Sequence, residues 1–221
     1  MPEEAITGLY RDRLTDEDPA WRTRVWEVLA ERVFQRYVRS SDTVVDIGAG
    51  WCEFINAIRC ERKIAIDVNP DVKRWAKDAE VILTPATDLA PLADASIDVT
   101  FSSNVLEHLP DKAAVLQALR ESHRVLKPGG LSITVMPNLR YLYGRYWDYF
   151  DHVTPLTHLS LSEAYRMTGF VVERVVPRFT PTVLKSRLLP RSLLLLRLYL
   201  RMRFVWWIFG RQMIVVGRKQ G

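Results

Sequence analysis

Cysteine is scarce in this 221-residue chain: Cys52 and Cys60 are the only two, and they form no CxxC pair. That excludes a disulfide framework and a thiolate zinc site, and it suits reduced thiols in a cytosolic protein. No uninterrupted apolar stretch approaches the ~20 residues needed to cross a bilayer. The opening MPEEAITGLYRDRL lacks a basic-then-apolar pattern, so no cleaved leader is predicted. Internal repeats and low-complexity linkers are also missing. Acidic residues disappear towards the end: Arg174 to Gly221 holds eleven Lys or Arg and no Asp or Glu. The net charge of +5 therefore hides a split, since residues 1–173 carry 20 basic against 26 acidic side chains, or −6. A uniformly basic surface would point to nucleic acid, whereas a basic end interleaved with Leu, Trp and Phe does not. No nucleic-acid partner is predicted.

What is present suits one α/β domain with a full core. Residues 18–38 place Trp21, Val25, Val28, Leu29, Val33 and Phe34 near one helical face, with Asp18 as N-cap and Pro19 behind it. Apolar runs at 43–47, 63–67, 80–83, 97–102 and 131–136 read as buried strands. Between the last two, DKAAVLQALRESHRVL (111–126) reads as a helix capped by Asp111 and stopped by Pro128-Gly129-Gly130. Two further strands are expected at 170–176 and 212–217. Strands alternating with helices imply βαβ units and a mostly parallel, seven-stranded sheet with helices on both faces. The simplest parse is a helical cap over 1–40 and a single domain over 41–221, with a basic apolar insertion at 181–210 before the last strand.

The segment VVDIGAGWCEF (44–54) is a strand running into a glycine turn, which brings backbone N–H groups towards a ligand. A dinucleotide fingerprint would place a third glycine at position 53, where this chain has Glu53. An anionic side chain there is a poor host for a diphosphate and suits a cationic or zwitterionic ligand. Asp67 ends the next strand, 21 residues beyond Asp46. Carboxylates so placed accept hydrogen bonds from ribose hydroxyls. Ribose without pyrophosphate indicates S-adenosylmethionine.

Together with AIDVNPD (65–71), ATDLAPLADASIDVTFSSNVLEHLP (86–110) and RVLKPGGLSITVMPN (124–138), this segment resembles the class I S-adenosylmethionine-dependent methyltransferases. The resemblance covers roughly residues 40–140 and implies a Rossmann-like fold with no metal. YWDYFDHVTPLTHLSLSEAYRMTGF (146–170) is also similar to a bacterial subgroup often associated with glycan and cell-envelope gene clusters. The family resemblance implies that Asp46, Gly48 and Gly50 surround the methionine part of the cofactor. Asp67 would hold the ribose, Asn69 would lie beside the adenine, and Ala86 would offer its backbone N–H to the ring. Asn104 would line the floor near the sulfonium, and Asp88 would contact adenine or cap a turn. Tyr10 and Arg24 would meet the cofactor carboxylate. Two departures stand out: Cys52 replaces a third glycine, and Pro85 replaces an aspartate that binds the adenine amino group.

Methyl transfer from a sulfonium is an in-line displacement, with S-adenosylhomocysteine as the other product. It requires the acceptor atom within about 3–3.5 Å of the methyl carbon. A hydroxyl acceptor also benefits from a base, usually histidine near neutral pH. Of four histidines, His123 sits on the 111–126 helix among Glu121 and Arg124, which suits a solvated face. His152 is the first candidate base, with Asp151 beside it to orient the imidazole; His158 is the second and His108 the third. Trp147, Tyr149 and Phe150 would wall an acceptor pocket, or else simply pack against the core.

Arg191, Arg197, Arg201 and Arg203 divide the 181–210 insertion, so it does not span a membrane. It remains open as an interfacial membrane helix, a homodimer seam or a lid on its own domain. The expected protein is a cytoplasmic enzyme, peripheral at the inner face of the membrane if the first of these holds. Its expected reaction is O-methylation of a small molecule or saccharide, the latter lipid-linked under the membrane reading. The alternatives are a non-catalytic cofactor-binding or interaction protein on the same fold, and a nucleotide-dependent oxidoreductase, which Glu53 disfavours.

Overall fold

The computed structural model describes residues 18–144, 146–181 and 191–221. Helix α1, Pro19–Leu29, starts where Asp18 accepts hydrogen bonds from the Ala20 and Trp21 amides. Such a cap contributes about 1 kcal/mol. The helix does not continue regularly to Val38. It widens into a π-turn over Ala30–Phe34 and tightens into a 3-10 turn over Gln35–Tyr37. The wide turn re-phases the helix, so that Val33 and Phe34 are buried as well as Val28 and Leu29.

The remaining elements alternate as expected. Strand β1 is Thr43–Ile47, helix α2 Glu53–Ala57, β2 Arg62–Asp67, α3 Val72–Trp75, and β3 Glu80–Leu83. Then come β4, Ile97–Ser103, α4, Lys112–Val125, and β5, Leu126–Pro137. The chain closes with α5, His158–Met167, β6, Phe170–Val176, α6, Leu193–Arg201, α7, Arg203–Phe209, and β7, Gln212–Lys219. Asp111 caps α4 as expected, accepting from the Ala114 amide at 2.8 Å. The helix ends earlier than its glycines suggest, because Leu126 turns extended and pairs with Ile97. Pro128, Gly129 and Gly130 therefore lie within β5, near a register shift between Ile97 and Val99.

The seven strands form one sheet in the order β3-β2-β1-β4-β5-β7-β6. The first five run parallel, β7 runs antiparallel to β5, and β6 pairs antiparallel with β7. Alternate β1 residues serve the two faces: Val44 joins one apolar cluster, while Val45 and Ile47 join the other. Phe34, fully buried, packs against Trp26, Phe54, Phe101 and Phe179 in the first cluster. Burying a phenyl ring of this kind stabilises the fold by roughly 2–3 kcal/mol. Strand order reverses between β1 and β4, which opens a crevice beyond their carboxyl ends.

Candidate active site

The turn after β1 is drawn against β2 by backbone bonds, with the Gly48 and Ala49 amides donating to the Ile66 carbonyl at 2.8 and 2.9 Å. Three residues here take left-handed conformations, Gly48 (φ 70), Gly50 (φ 51) and Cys52 (φ 57). A Cβ on Gly48 would collide with the Val105 side chain; one on Gly50 would meet nothing within 4 Å. Asp67, at the end of β2, accepts from the Gly50 amide through Oδ2 and from the Asn69 amide through Oδ1, each at 2.8 Å. Asn69 in turn accepts from the Asp71 amide at 3.0 Å, shaping the entry to α3.

The loop is electrostatically negative. Burial holds the Asp46 carboxyl well above the usual carboxylate range, and the charges of Asp67 and Glu53 raise it further. Burial also raises Asp67, against the amides of Asn69 and Gly50. Glu53 is ion-paired with Arg22 of α1, whose guanidinium lies 3.7 Å over the Trp51 ring. Trp51 stacks on Trp75 at 5.6 Å. Beside Asp67, Val68, Pro70, Leu83, Thr84 and Pro85 line an open depression. Its apolar walls suit a flat heteroaromatic ring.

A second cluster gathers beyond β4. His108 ends a 3-10 turn over Leu106–His108. Its Nδ1 lies 3.0 Å from the Asp151 carbonyl and 3.3 Å from the Asp151 carboxylate. The Nδ1 of His152 faces the Tyr146 carbonyl, and its ring stacks on Tyr146 and lies 4.9 Å from that of His108. One ring nitrogen from each of His108 and His152 and one carboxylate oxygen of Asp151 lie within 4.8 Å of one another. Behind them sits Glu107, with no exposed surface. One of its carboxylate oxygens accepts from the Tyr146 hydroxyl at 2.9 Å and the other has no hydrogen-bond partner. Burial pushes this carboxyl up to about 7.

Residues 45–134 match the family model described as a methyltransferase domain. An uncharacterized methyltransferase of Mycobacterium sp. (strain KMS) is 30% identical over 164 residues, covering 71% of this chain and 58% of that protein. The malonyl-[acyl-carrier protein] O-methyltransferase 1 of Coxiella burnetii is 31% identical over 137 residues, covering 58% of this chain and 48% of that one. Among solved structures, a SAM-dependent methyltransferase from Archaeoglobus fulgidus superimposes with a TM-score of 0.67 at 19% identity, covering 96% of this chain and 99% of that one. The chain thus carries a methyltransferase domain over residues 45–134 and shares the fold of S-adenosylmethionine-dependent methyltransferases of known structure. It spans only about half to three-fifths of the length of the curated relatives named above.

S-adenosylmethionine, the cofactor that the methyltransferase domain implies, fits the residues present. A sulfonium or ammonium cation would relieve the mutual repulsion of Asp46, Asp67 and Glu53, and the open space at Gly50 leaves room for a ligand chain. Asp46, Gly48, Gly50, Asp67 and Asn69 are brought together here. Asn104, also left-handed at φ 56, receives a 2.9 Å hydrogen bond from Gln212 of β7, which fixes its amide at the crevice. Ala86 is half-buried and lines an internal cavity with Ile47 and Ser102. Asp88 is exposed and caps its own turn, accepting from the Ala90 amide at 3.0 Å. Tyr10 lies outside the described residues. Arg24 is exposed, and Arg22 is the α1 arginine that reaches the loop.

Beyond β4, His108, Asp151 and His152 converge, but His158 is held elsewhere. His158 bonds Asn138 at 3.0 Å and stacks on Tyr141. The Asp151 carboxylate faces His108, 43 residues away in the chain. Tyr149 and Phe150 are exposed, so they do not pack against the core, while Trp147 donates to the Leu142 carbonyl at 2.7 Å. Sequence reasoning missed Glu107, Arg22, and the depression formed by Val68 and Leu83. A buried acid beside a histidine, and apolar residues placed after strand ends, were the available signals.

Proposed function

We propose that this methyltransferase transfers the methyl group of S-adenosylmethionine to an oxygen of a small-molecule or saccharide acceptor in the cytoplasm. The observation that carries this reading is the shared tautomer of two imidazoles. The Nδ1 of His108 and of His152 each faces a carbonyl oxygen, which can only accept, so each ring keeps its proton on Nδ1. Nε2 of each then presents a lone pair. The bound cofactor supplies an electrophilic methyl carbon. His152 takes the acceptor hydroxyl proton at Nε2 as the oxygen attacks, and the Tyr146 carbonyl stabilises the imidazolium so formed. His108, backed by the Asp151 carboxylate, is the neighbouring base and orienting group. Exposed Tyr143, Tyr149 and Phe150 offer faces on which a sugar ring would stack.

Oxygen as acceptor is supported by the Coxiella burnetii relative, whose name is that of an O-methyltransferase. A saccharide is supported by the 146–170 stretch, with its likeness to proteins of glycan gene clusters. The test is transfer of radiolabelled methyl from S-adenosylmethionine into an extract of the source cells, with Asp67→Ala as the control. Labelled product whose methyl ether survives alkali is the expected result. Cofactor binding with no turnover in any extract would instead indicate a non-catalytic binding protein.

A further inference from the structure

Helices α6 and α7 expose far more apolar surface than a solvated lid requires. Their inner face is anchored: Leu196, Leu200 and Trp206 are buried, the Tyr199 hydroxyl bonds the Phe179 carbonyl, and the Trp206 indole bonds the Tyr199 carbonyl. The outer face carries Leu194 (74% exposed), Phe204 (68%) and Trp207 (63%), together with exposed Leu195, Leu198, Ile208 and Phe209. Arg197, Arg201 and Arg203 are exposed among them. No described helix is long and apolar enough to cross a membrane.

We infer that this face docks on an anionic lipid surface. Three observations select that occupant. Large aromatic and leucine side chains mixed with arginine are what an interface-lying helix needs, rings at the acyl boundary and guanidinium groups at the headgroup phosphates. Arg191 and Arg218 pair with Asp18 and Glu173 of the chain itself, but α6 and α7 carry Arg197, Arg201 and Arg203 and no acidic residue, so negative charge facing these three is the partner's to supply. A second copy meeting the same face about a two-fold axis would set these arginines against their own kind. The surface is also joined to the acceptor side. Arg178 donates to the carbonyls of Gly210 and Ile208, each at 3.1 Å, and its guanidinium lies 4.6 Å over the Tyr141 ring. Arg211 donates to the Tyr141 carbonyl at 2.7 Å. Docking α6 and α7 would therefore hold the loop from Asn138 onward, which carries Asp151 and His152, close to the membrane plane. This inference does not depend on which acceptor is methylated.

The experiment is co-sedimentation of the whole chain with vesicles of equal parts phosphatidylglycerol and phosphatidylcholine, against vesicles of phosphatidylcholine alone. Binding to the anionic vesicles alone, weakened by added salt, is expected. The double variant Phe204→Ser/Trp207→Ser and the double variant Arg201→Gln/Arg203→Gln should each lower it about tenfold. All four positions are exposed, so thermal melts of both variants should match the parent. Failure to bind anionic vesicles, or equal binding by the parent and both folded variants, would overturn the inference. A monomer–dimer equilibrium abolished by Phe204→Ser/Trp207→Ser, without vesicle binding, would also overturn it in favour of a second copy of the chain.

Discussion

Asp67 and Gly50 meet across the glycine turn after β1: the carboxylate Oδ2 accepts the Gly50 N–H at 2.8 Å while Oδ1 accepts that of Asn69. One side chain thus holds the turn after β1 and the start of the loop after β2 in register. Asp67→Asn keeps the shape, but it points an NH₂ at one of the two amides whichever way it flips. A buried N–H without an acceptor costs about 1–3 kcal/mol. We expect that loss in urea melts and at least a tenfold weaker affinity for S-adenosylhomocysteine by calorimetry. Wild-type affinity would remove Asp67 from the cofactor site.

The two glycines of the turn should separate stability from binding. Gly48→Ala meets both a left-handed backbone and the Val105 side chain, and should destabilise by about 2 kcal/mol or more. Gly50→Ala meets only the backbone penalty, about 1–2 kcal/mol, because the space beyond it is open. If that space is the ligand's, Gly50→Ala loses affinity tenfold or more while remaining folded. An unchanged titration would assign the space to solvent.

Much of this molecule was legible in the chain because local chemistry and global fold agree. The apolar runs ending in Asp46 and Asp67 became adjacent parallel strands, and Asp18 and Asp111 cap the helices they precede. Other features depend on contacts that sequence spacing does not show. Asp151 adjoins His152 in the chain, yet its carboxylate serves His108, which only the return of the 138–157 loop makes possible. Arg22 and Arg24 lie about 200° apart around a helix, so equally plausible arginines have opposite fates. The π-turn at Ala30–Phe34 buries Ala30, Val33 and Phe34 and leaves no periodic trace in the sequence.

Replacing His152 by Gln should lower turnover by about 10²–10⁴, the range for a lost general base, with cofactor affinity unchanged. His158→Gln should have a much smaller effect, since its ring is engaged with Asn138 and Tyr141. Single-turnover assays with saturating cofactor would compare them. Turnover should survive a chelator; loss on chelation and recovery with a divalent cation would reassign His108, Asp151 and His152 as a metal site.

Glu107 predicts a pH signature. Its folded pKa, about 7, exceeds the usual 4.5. Between these values the folded state holds a proton that the unfolded state has lost, so stability falls as pH rises from about 4.5 through about 7 and levels off above. The full effect is on the order of 3 kcal/mol. Glu107→Gln should abolish this component, making the variant relatively more stable at pH 8 than at pH 5. Parallel pH-dependent melts of the two proteins would show it; superimposable curves would refute it.

Cys52 sits in the cofactor turn in a left-handed conformation, fully buried, with its thiol pushed up to about 12 by burial and by the charges of Asp46, Asp67 and Glu53. While the turn is closed, this sulfur is neither ionised nor reachable by an alkylating reagent. Its labelling rate therefore measures how often the turn opens, as amide exchange does for a helix. In a Cys60→Ser background the chain carries one such stopwatch at the point where ligand and protein should meet. Saturating S-adenosylhomocysteine should lower the logarithm of that rate in proportion to the free energy of binding, making an unreactive residue a recorder of occupancy.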